Sequence, residues 1–491
     1  MSVNDSISVP AQRTHVELPA PTTLTRAPSG SLVGNLALCG VAGLSTLVAV
    51  SAAGTGVLLP ETLHVIPKVD LPLAGPFAHV EKVSPILTKV GGLGGLHLGN
   101  WAVIAALMAL FGCYVVAVRC ADRLSPRAVI GTAIGCTVVM LLAPPIVSTD
   151  IFSYQTYGRM FTLYHISPYV NGPSVLAGAP SVQDPVYAYT GAKWINTPSV
   201  YGPLFTLLSA LFAGPKNISP SGIAASVYAF KLVAASCCLG TLALLWAGCQ
   251  RRGLDGTRAI ALFGLNPLVI VYGVGGGHND LLTVLLSTAA VYAVLVHRPR
   301  SGGGLISMAT MVKLTAGLTL PFAMAAGGLG AAGRRRSLLV GAGVAAGVLM
   351  AIGFAVFGTS LLQLPITLDH VQNMGEGQTL PGFVSTVLRI NWLGHLIGLL
   401  QGAAFVAVCA WLLRRVARGQ MDWIDGAAWA TFGVLVSTSS ILPWYVSWLL
   451  PLVALATTRR LWTVALCFSG WVLLTTLLAY IPHGQTILGV G

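Results

Sequence analysis

An all-α, polytopic membrane helix bundle is the fold class that three features of this chain predict. Of its 491 residues, 55% are hydrophobic and only 8% are charged, where a soluble domain carries roughly 25% charged residues. Apolar runs close to the ~20 residues needed to cross a bilayer recur along the whole length. Arginines cluster in the short connectors between those runs, which is the positive-inside signature. That placement accounts for the net charge of +13 without a nucleic-acid partner.

Residues 1–31 are polar and rich in Pro, Ser and Thr, with Asp5 and Glu17 ahead of the first apolar run. They lack the basic start and short apolar core of a signal peptide, so a disordered cytoplasmic tail is expected there. Residues 32–491 are expected to form one membrane domain. Its spans are predicted at 32–58, 99–118, 128–147, 221–248, 258–275, 281–297, 337–358, 394–414, 425–442, 443–457 and 461–481. The connectors holding Arg119, Arg123 and Arg127, then Arg251, Arg252 and Arg258, are placed inside. So are those with Arg298 and Arg300, Arg334 to Arg336, Arg414 to Arg418, and Arg459 with Arg460. The N-terminus then lies in the cytoplasm, and residues 59–98, 149–220, 276–280 and 359–393 lie outside. A multi-pass protein of the plasma (inner) membrane with its working loops on the external, periplasmic side is the expectation.

Two segments depart from simple spans. Residues 202–214 are too short to cross and run into Pro215-Lys216, which suits an interfacial helix on the outer face. Residues 304–327 lie between two arginine clusters that both belong inside. Two half-helices meeting near Lys313-Leu314-Thr315 satisfy both clusters, provided protein or water covers the broken backbone. A continuous span would leave one cluster outside. With these included, about 12–13 membrane segments are expected. The 9 cysteines sit in or at the ends of apolar segments and form no CxxC pair, as packing residues do.

Candidate chemistry gathers on the outer face. Among 14 acidic residues, Asp150 and Asp280 are attached to span ends, where rigid helices position them. Partial desolvation at a membrane rim moves a carboxylate toward general-base values, although a helix-end aspartate also serves as an N-cap. The loop after Asp150 holds Tyr154, Tyr157, Arg159, Tyr169, Asp184, Tyr187, Trp194, Tyr201 and Pro203. Dense aromatics with hydrogen-bonding groups suit a sugar, while an interfacial Trp/Tyr belt explains any single one of them. In Gly275-Gly276-Gly277-His278-Asn279-Asp280 the glycines allow a sharp turn. The three polar residues there could take a phosphate, a sugar hydroxyl or, with Asp150, a divalent cation, or satisfy their own turn. One His with scattered Asp lacks metal-ligand spacing, so no metal site is assigned. Lys313 and Lys231 are cations in apolar segments. Lys313 is placed to neutralise a lipid-linked phosphate, and Lys231 to snorkel toward headgroups.

Several strings, taken in order, resemble a known family. They are Ser148-Thr149-Asp150-Ile151-Phe152-Ser153-Tyr154, Ser167-Pro168-Tyr169, Thr197-Pro198-Ser199-Val200-Tyr201-Gly202-Pro203, Gly277-His278-Asn279-Asp280, Val312-Lys313-Leu314-Thr315-Ala316-Gly317 with Leu320-Pro321-Phe322, and Pro443-Trp444-Tyr445. The chain is similar in these to the actinobacterial polyprenol-phosphomannose-dependent α-1,6-mannosyltransferases of MptA/MptB type, within the GT-C glycosyltransferases. The resemblance implies inverting transfer of mannose from a polyprenyl-phosphate donor to a lipid-linked glycan, an α-1,6-mannan of lipomannan or lipoarabinomannan type, on the outer face. It implies Asp150 as the catalytic base. Lys313, His278, Arg159 and Arg389 are then expected at the donor phosphate. Tyr154, Tyr169, Trp194, Tyr201, Asn279, Asp280, Trp444 and Tyr445 are expected at the sugar or acceptor. No nucleotide or soluble cofactor is needed by such a donor, and no GxxxxGK[ST] phosphate loop occurs. The competing expectations are a transporter or flippase for a sugar or lipid-linked sugar, and a GT-C enzyme using another polyprenyl-phosphate sugar.

Overall fold

The computed structural model describes residues 32–55, 100–146, 148–178, 182–191, 194–327, 332–373, 381, 384–385, 388–438 and 441–478. The expected tail at 1–31, the whole expected loop at 59–98 with Glu61, Asp70 and Glu81, and Glu376 lie outside the described residues. Within them the molecule is all helix and turn, as a polytopic bundle requires. Six helices are long and apolar enough to cross a membrane, and a bent pair brings the total up to 7. Four shorter apolar helices complete the set, Pro126–Leu142, Asp280–Leu295, Leu314–Ala325 and Pro443–Leu455. Several of the expected spans are therefore short or broken, and the breaks fall where the polar residues are.

The first half runs α1 Leu32–Thr55, α2 Asn100–Arg119, α3 Pro126–Leu142, α4 Asp150–Tyr164, α5 Pro203–Leu211, α6 Pro220–Arg252, α7 Gly256–Gly264 and α8 Asp280–Leu295. Pro126 opens α3, where a missing N–H costs nothing. Pro144 and Pro145 follow α3 and prevent it from continuing into α4. The 33-residue α6 is capped by Ser219 and ends on Gly253 at φ 64, with Arg251 and Arg252 in its last turn. The expected span 258–275 is bent by 54° between α7 and a π-helical segment, Leu268–Gly275. Pro267 lacks the donor to carry α7 onward. Asn266 repairs the break: its Oδ1 accepts from Leu268 N, and its Nδ2 donates to Tyr114 and Ser469.

The second half comprises α9 Pro299–Thr310, α10 Thr319–Ala325, α11 Ala332–Phe357, α12 Leu364–Asn373, α13 Asn391–Ala417, α14 Trp423–Ser437, α15 Val446–Leu455 and α16 Arg459–Leu478. Residues 299–326 form a hairpin whose break falls at Lys313, where the backbone is extended (φ −147, ψ 120). Lys313 reaches the first residue of α8 through Asp280. The far end of α10 receives Arg334 and Arg335 on the carbonyls of Ala323 and Met324. The start of α9 abuts α11, where the Arg300 carbonyl faces Gly341. Both arginine clusters thus share one end of the bundle, and Lys313 sits at the other.

One expectation changes: residues 149–220 are not a plain loop, because α4 begins at Asp150 itself. The short segment expected as an interfacial helix is a helix, and one of its faces packs on protein. Pro203, Phe205, Thr206 and Ser209 of α5 are buried, and a Cβ on Gly158 of α4 would lie 2.1 Å from the Ser209 carbonyl oxygen.

Candidate active site

A cavity of ≈ 450 Å³ lies at the Lys313 end of the bundle. Helix α4 supplies Asp150, Ser153 and Tyr157 to it, at positions i, i+3 and i+7 on one helical face. The hairpin supplies Lys313 and Thr315, and the loop before α5 supplies Trp194 and Tyr201. Asp369 comes from α12 and Thr438 from the end of α14; Trp444, Tyr445 and Trp448 come from the turn into α15.

The Asp150 carboxylate keeps 18% of its side-chain surface exposed, and the buried His278 places Nδ1 3.5 Å from it. The imidazole lies flat on Trp444, centroids 3.5 Å apart at 18°. Burial first, and the Lys313 charge second, hold His278 well below the usual imidazole range. It therefore meets Asp150 as a neutral ring. The turn carrying it fits beneath α4 because Gly277 adopts φ 68, and a Cβ there would lie 2.6 Å from Ile151. Behind this layer Tyr154 is buried against Tyr201, Phe205 and Phe230, with its hydroxyl 3.4 Å from Asn279 Oδ1. Among the described residues His278 Nε2, Asn279 Nδ2 and Asp280 Oδ2 are buried without a protein hydrogen-bond partner.

Lys313 supplies the positive charge. Its Nζ lies 2.6 Å from Asp280 Oδ1, which also accepts from Trp448 Nε1 at 2.7 Å. The ammonium stands 4.5 Å from the Tyr445 ring and 5.0 Å from the Trp448 ring, within cation–π range. The hairpin tip is held against the neighbouring loop by Gly202, whose N–H donates to Val312 O. A Cβ on Gly202 would sit 2.0 Å from the Met311 carbonyl oxygen. Gly202→Ala is therefore expected to displace Lys313 and destabilise the fold by about 1–3 kcal/mol, read as a lower melting temperature with a fall in turnover. An unchanged melting temperature would show that the tip tolerates the shift.

Of the site residues expected from sequence, Asp150, Lys313, Trp194, Tyr201, Trp444 and Tyr445 line this one cavity. His278, Tyr154 and Asn279 stand behind its wall rather than in it. Asp280, expected at the sugar, is the buried counter-ion of Lys313 through Oδ1. Arg159 is corrected outright. Its guanidinium is fully buried, pairs with Asp184 at 2.7 Å, and donates to the carbonyls of Ala213, Pro215 and Lys216. No donor is left for a phosphate. Arg159→Met would strand the Asp184 carboxylate and is expected to cost about 3–5 kcal/mol of stability. Thermal unfolding in detergent measures this, and a KM for donor that rose with stability intact would restore Arg159 to the site. Tyr169 is corrected too, since it is buried and donates to Tyr201 O and Thr206 Oγ1. Arg389 is exposed at φ 57 and does not line the cavity. Lys231 does not snorkel. It is buried, and its ammonium donates to Ala143 O and to Pro144 O at 3.1 Å, tying down the segment that leads to Asp150.

Sequence reasoning placed Tyr157 only among the aromatics of a sugar-suited loop and gave no site role to Ser153, Thr315, Asp369, Thr438 or Trp448. The signal for Ser153 and Tyr157 was their spacing from Asp150, visible only once α4 is known to start there. A narrow slot continues from the cavity and shares Thr315, Val434 and Trp448 with it. Val284 and Val291 of α8 and Leu452 and Leu455 of α15 wall this slot, with threonines among them. Among the described residues no three His, Cys, Asp or Glu side chains converge as metal ligands.

No solved structure matches the chain. It is 29% identical over 431 residues to alpha-(1->6)-mannopyranosyltransferase A of Mycobacterium tuberculosis, covering 80% of this chain and 79% of that one. It is 26% identical over 468 residues to a probable alpha-(1->6)-mannopyranosyltransferase of Mycolicibacterium smegmatis, 84% of this chain and 78% of the relative. For alpha-(1->6)-mannopyranosyltransferase B of Corynebacterium glutamicum the identity is 26% over 453 residues, 84% and 71%. Residues 375–490 match the MptB C-terminal domain. Residues 37–328 match the N-terminal domain of the alpha-(1->6)-mannopyranosyltransferases, and the chain belongs to that family.

Proposed function

We propose that this enzyme transfers mannose from a polyprenyl-phosphate donor to a lipid-linked glycan, building an α-1,6-mannan of lipomannan or lipoarabinomannan type, with inversion and with Asp150 as base. The names of the relatives support the sugar and the linkage. The observation that carries the chemistry is the meeting of Asp150 and Lys313 in one aromatic-lined cavity that continues into an apolar slot. An acceptor hydroxyl held against Trp194 and Tyr201 loses its proton to Asp150 as its oxygen bonds to the anomeric carbon. The bond from that carbon to the phosphate oxygen breaks, and polyprenyl phosphate departs with both electrons. Lys313 stabilises the departing charge, and Asp280, 2.6 Å from its Nζ, holds the ammonium in place. The slot beside Trp448 suits the first isoprene units of the tail, which then passes between helices into the membrane.

The arginine-bearing connectors gather at the end of the bundle away from Asp150, which supports an external site and a cytoplasmic N-terminus in the plasma membrane. Membranes supplied with radiolabelled polyprenyl-phosphomannose test the proposal. Label is expected in a lipid-linked glycan, with linkage analysis giving new α-1,6 bonds. Label carried across proteoliposomes with no new glycosidic bond would favour a flippase and overturn it. Transfer from another polyprenyl-phosphate sugar, but not from mannose, would overturn the sugar.

A further inference from the structure

A second and larger cavity, of ≈ 880 Å³, opens between α13 and α14 at the arginine-bearing end of the bundle. Phe405, Val408 and Leu412 of α13 face Trp429, Phe432 and Val436 of α14 across it. Helix α13 is the least embedded of the long helices, with 6% of its apolar window buried. It meets α14 where Gln401 donates to Val436 O and Phe405 lies against Gly433, and along the two helices runs a cleft whose walls are largely aliphatic and aromatic. Such a cleft gains nothing from water, which needs several polar partners, and an acyl chain fills it without desolvation cost.

The mouth of the cleft is polar and unevenly charged. Arg415 and Arg460 line it together with Asp422, Asp425, Thr457 and Thr458. Both carboxylates are already engaged. Asp425 accepts from Thr457 N at 2.8 Å, from Thr457 Oγ1 at 2.9 Å, and from Thr458 Oγ1. Asp422 accepts from Ile424 N at 2.9 Å and pairs with Arg252 at 3.2 Å. Arg415 lies over the Trp411 ring, and neither it nor Arg460 has a carboxylate partner among the described residues. With Arg252 counted, three arginines face two aspartates at the mouth, a net charge of +1 in which Arg415 and Arg460 have no carboxylate of their own, and this above an apolar cleft is complementary to a lipid with a phosphodiester headgroup.

We propose that the cleft between α13 and α14 binds an anionic phospholipid, its acyl chains along the cleft and its phosphate on Arg415 and Arg460. This site is separate from the donor site. Its charged mouth lies at the other end of α14, about 20 Å along the helix from Asp425 to Thr438, while the cleft itself runs along α14 as far as Val436 and Ser437. The two are nonetheless joined, because the same helix presents Val434, Leu435 and Thr438 to the Asp150 cavity. A lipid seated in the cleft supports α14 from behind and so holds that wall of the cavity in place.

The test uses the full chain, purified and exchanged into nanodiscs of phosphatidylglycerol, of phosphatidylcholine, or of an equal mixture. Lipid that stays with the protein on re-extraction is identified by mass spectrometry. Wild type is expected to retain phosphatidylglycerol over phosphatidylcholine by roughly tenfold or more, from two arginines at the headgroup. Arg415→Gln with Arg460→Gln should bring retention to parity. Ala404→Trp, which fills the cleft and leaves the arginines, should lower retention of both lipids. Equal retention of the two lipids by wild type overturns the proposal, as does an undiminished preference in the double variant. So does a second copy or another protein found cross-linked in the cleft in place of lipid.

Discussion

Replacing Asp150 by Asn is expected to lower mannosyl transfer by about 10²–10⁴-fold while the protein stays folded. Asn matches the shape of Asp and keeps an acceptor oxygen toward His278 Nδ1, 3.5 Å away, yet it takes up no proton. The start of α4 is unchanged, because the Asp150 N–H still reaches Ser148 Oγ at 3.1 Å. Initial rates with radiolabelled polyprenyl-phosphomannose, normalised to protein in the membrane, measure the effect. The cavity provides its own control in Asp369 of α12, the other carboxylate lining it among the described residues. Asp369→Asn should lower turnover far less, through acceptor contacts alone. If Asp369→Asn abolishes transfer and Asp150→Asn leaves it intact, the base has been misassigned.

The fold class could be read from the sequence because the signal is thermodynamic and local. Long apolar runs and arginine connectors are decided by the bilayer, whatever the tertiary packing. The break at Lys313 was legible for the same reason: two arginine clusters cannot both lie inside if the chain between them crosses once. Where tertiary contacts decide, the sequence misled. The helix from Asp150 to Tyr164 carries tyrosines, a glycine and an arginine and has no long apolar face, so it read as a loop. It forms because it is buried on protein on most sides, with α5 brought close by Gly158. The same burial overturned Arg159. A guanidinium in a polar external loop looks available, and nothing in its neighbourhood announces that Asp184, 25 residues on, will claim it.

The aromatic residues divide along a similar line. Trp194, Tyr201, Trp444 and Tyr445 reach the cavity, whereas Tyr154 and Tyr169 turn their rings into packed clusters. Composition cannot separate these, since each has an apolar body and one polar tip. The neighbours of a helix can, once its packing is fixed. Asp150, Ser153 and Tyr157 fall on one face of α4, and Tyr154 falls to the side that meets α5 and α6. Trp448 was missed for want of the same frame. It lies one turn beyond Tyr445, stacks on it with centroids 4.3 Å apart, and completes the aromatic pair over Lys313.

The second large effect is expected at Lys313, and it separates two roles that a single substitution would confound. Lys313→Met removes the cation proposed to face the departing phosphate, for an expected fall in rate of about 10²–10³-fold. It also strands Asp280, whose side chain is 1% exposed, and breaking such a pair costs about 3–5 kcal/mol. A collapse of activity would then say little, because the hairpin tip itself could loosen. Adding Asp280→Asn removes the stranded charge, and the amide oxygen still accepts from Trp448 Nε1. The double variant is therefore expected to regain most of the lost stability, seen as recovery of the melting temperature, with transfer still depressed. Full recovery of transfer along with stability would make the pair a clamp for the hairpin and nothing more. Lys313→Arg adds a finer distinction. It preserves the charge, but a planar fork needs a different fit between the Tyr445 and Trp448 rings than a compact ammonium, so turnover should fall between wild type and Lys313→Met. A charge that acts only by being near Asp280 would make Arg and Lys equivalent. One that must meet the phosphate at a set position makes them differ, and the crowded geometry at Lys313 favours the second outcome.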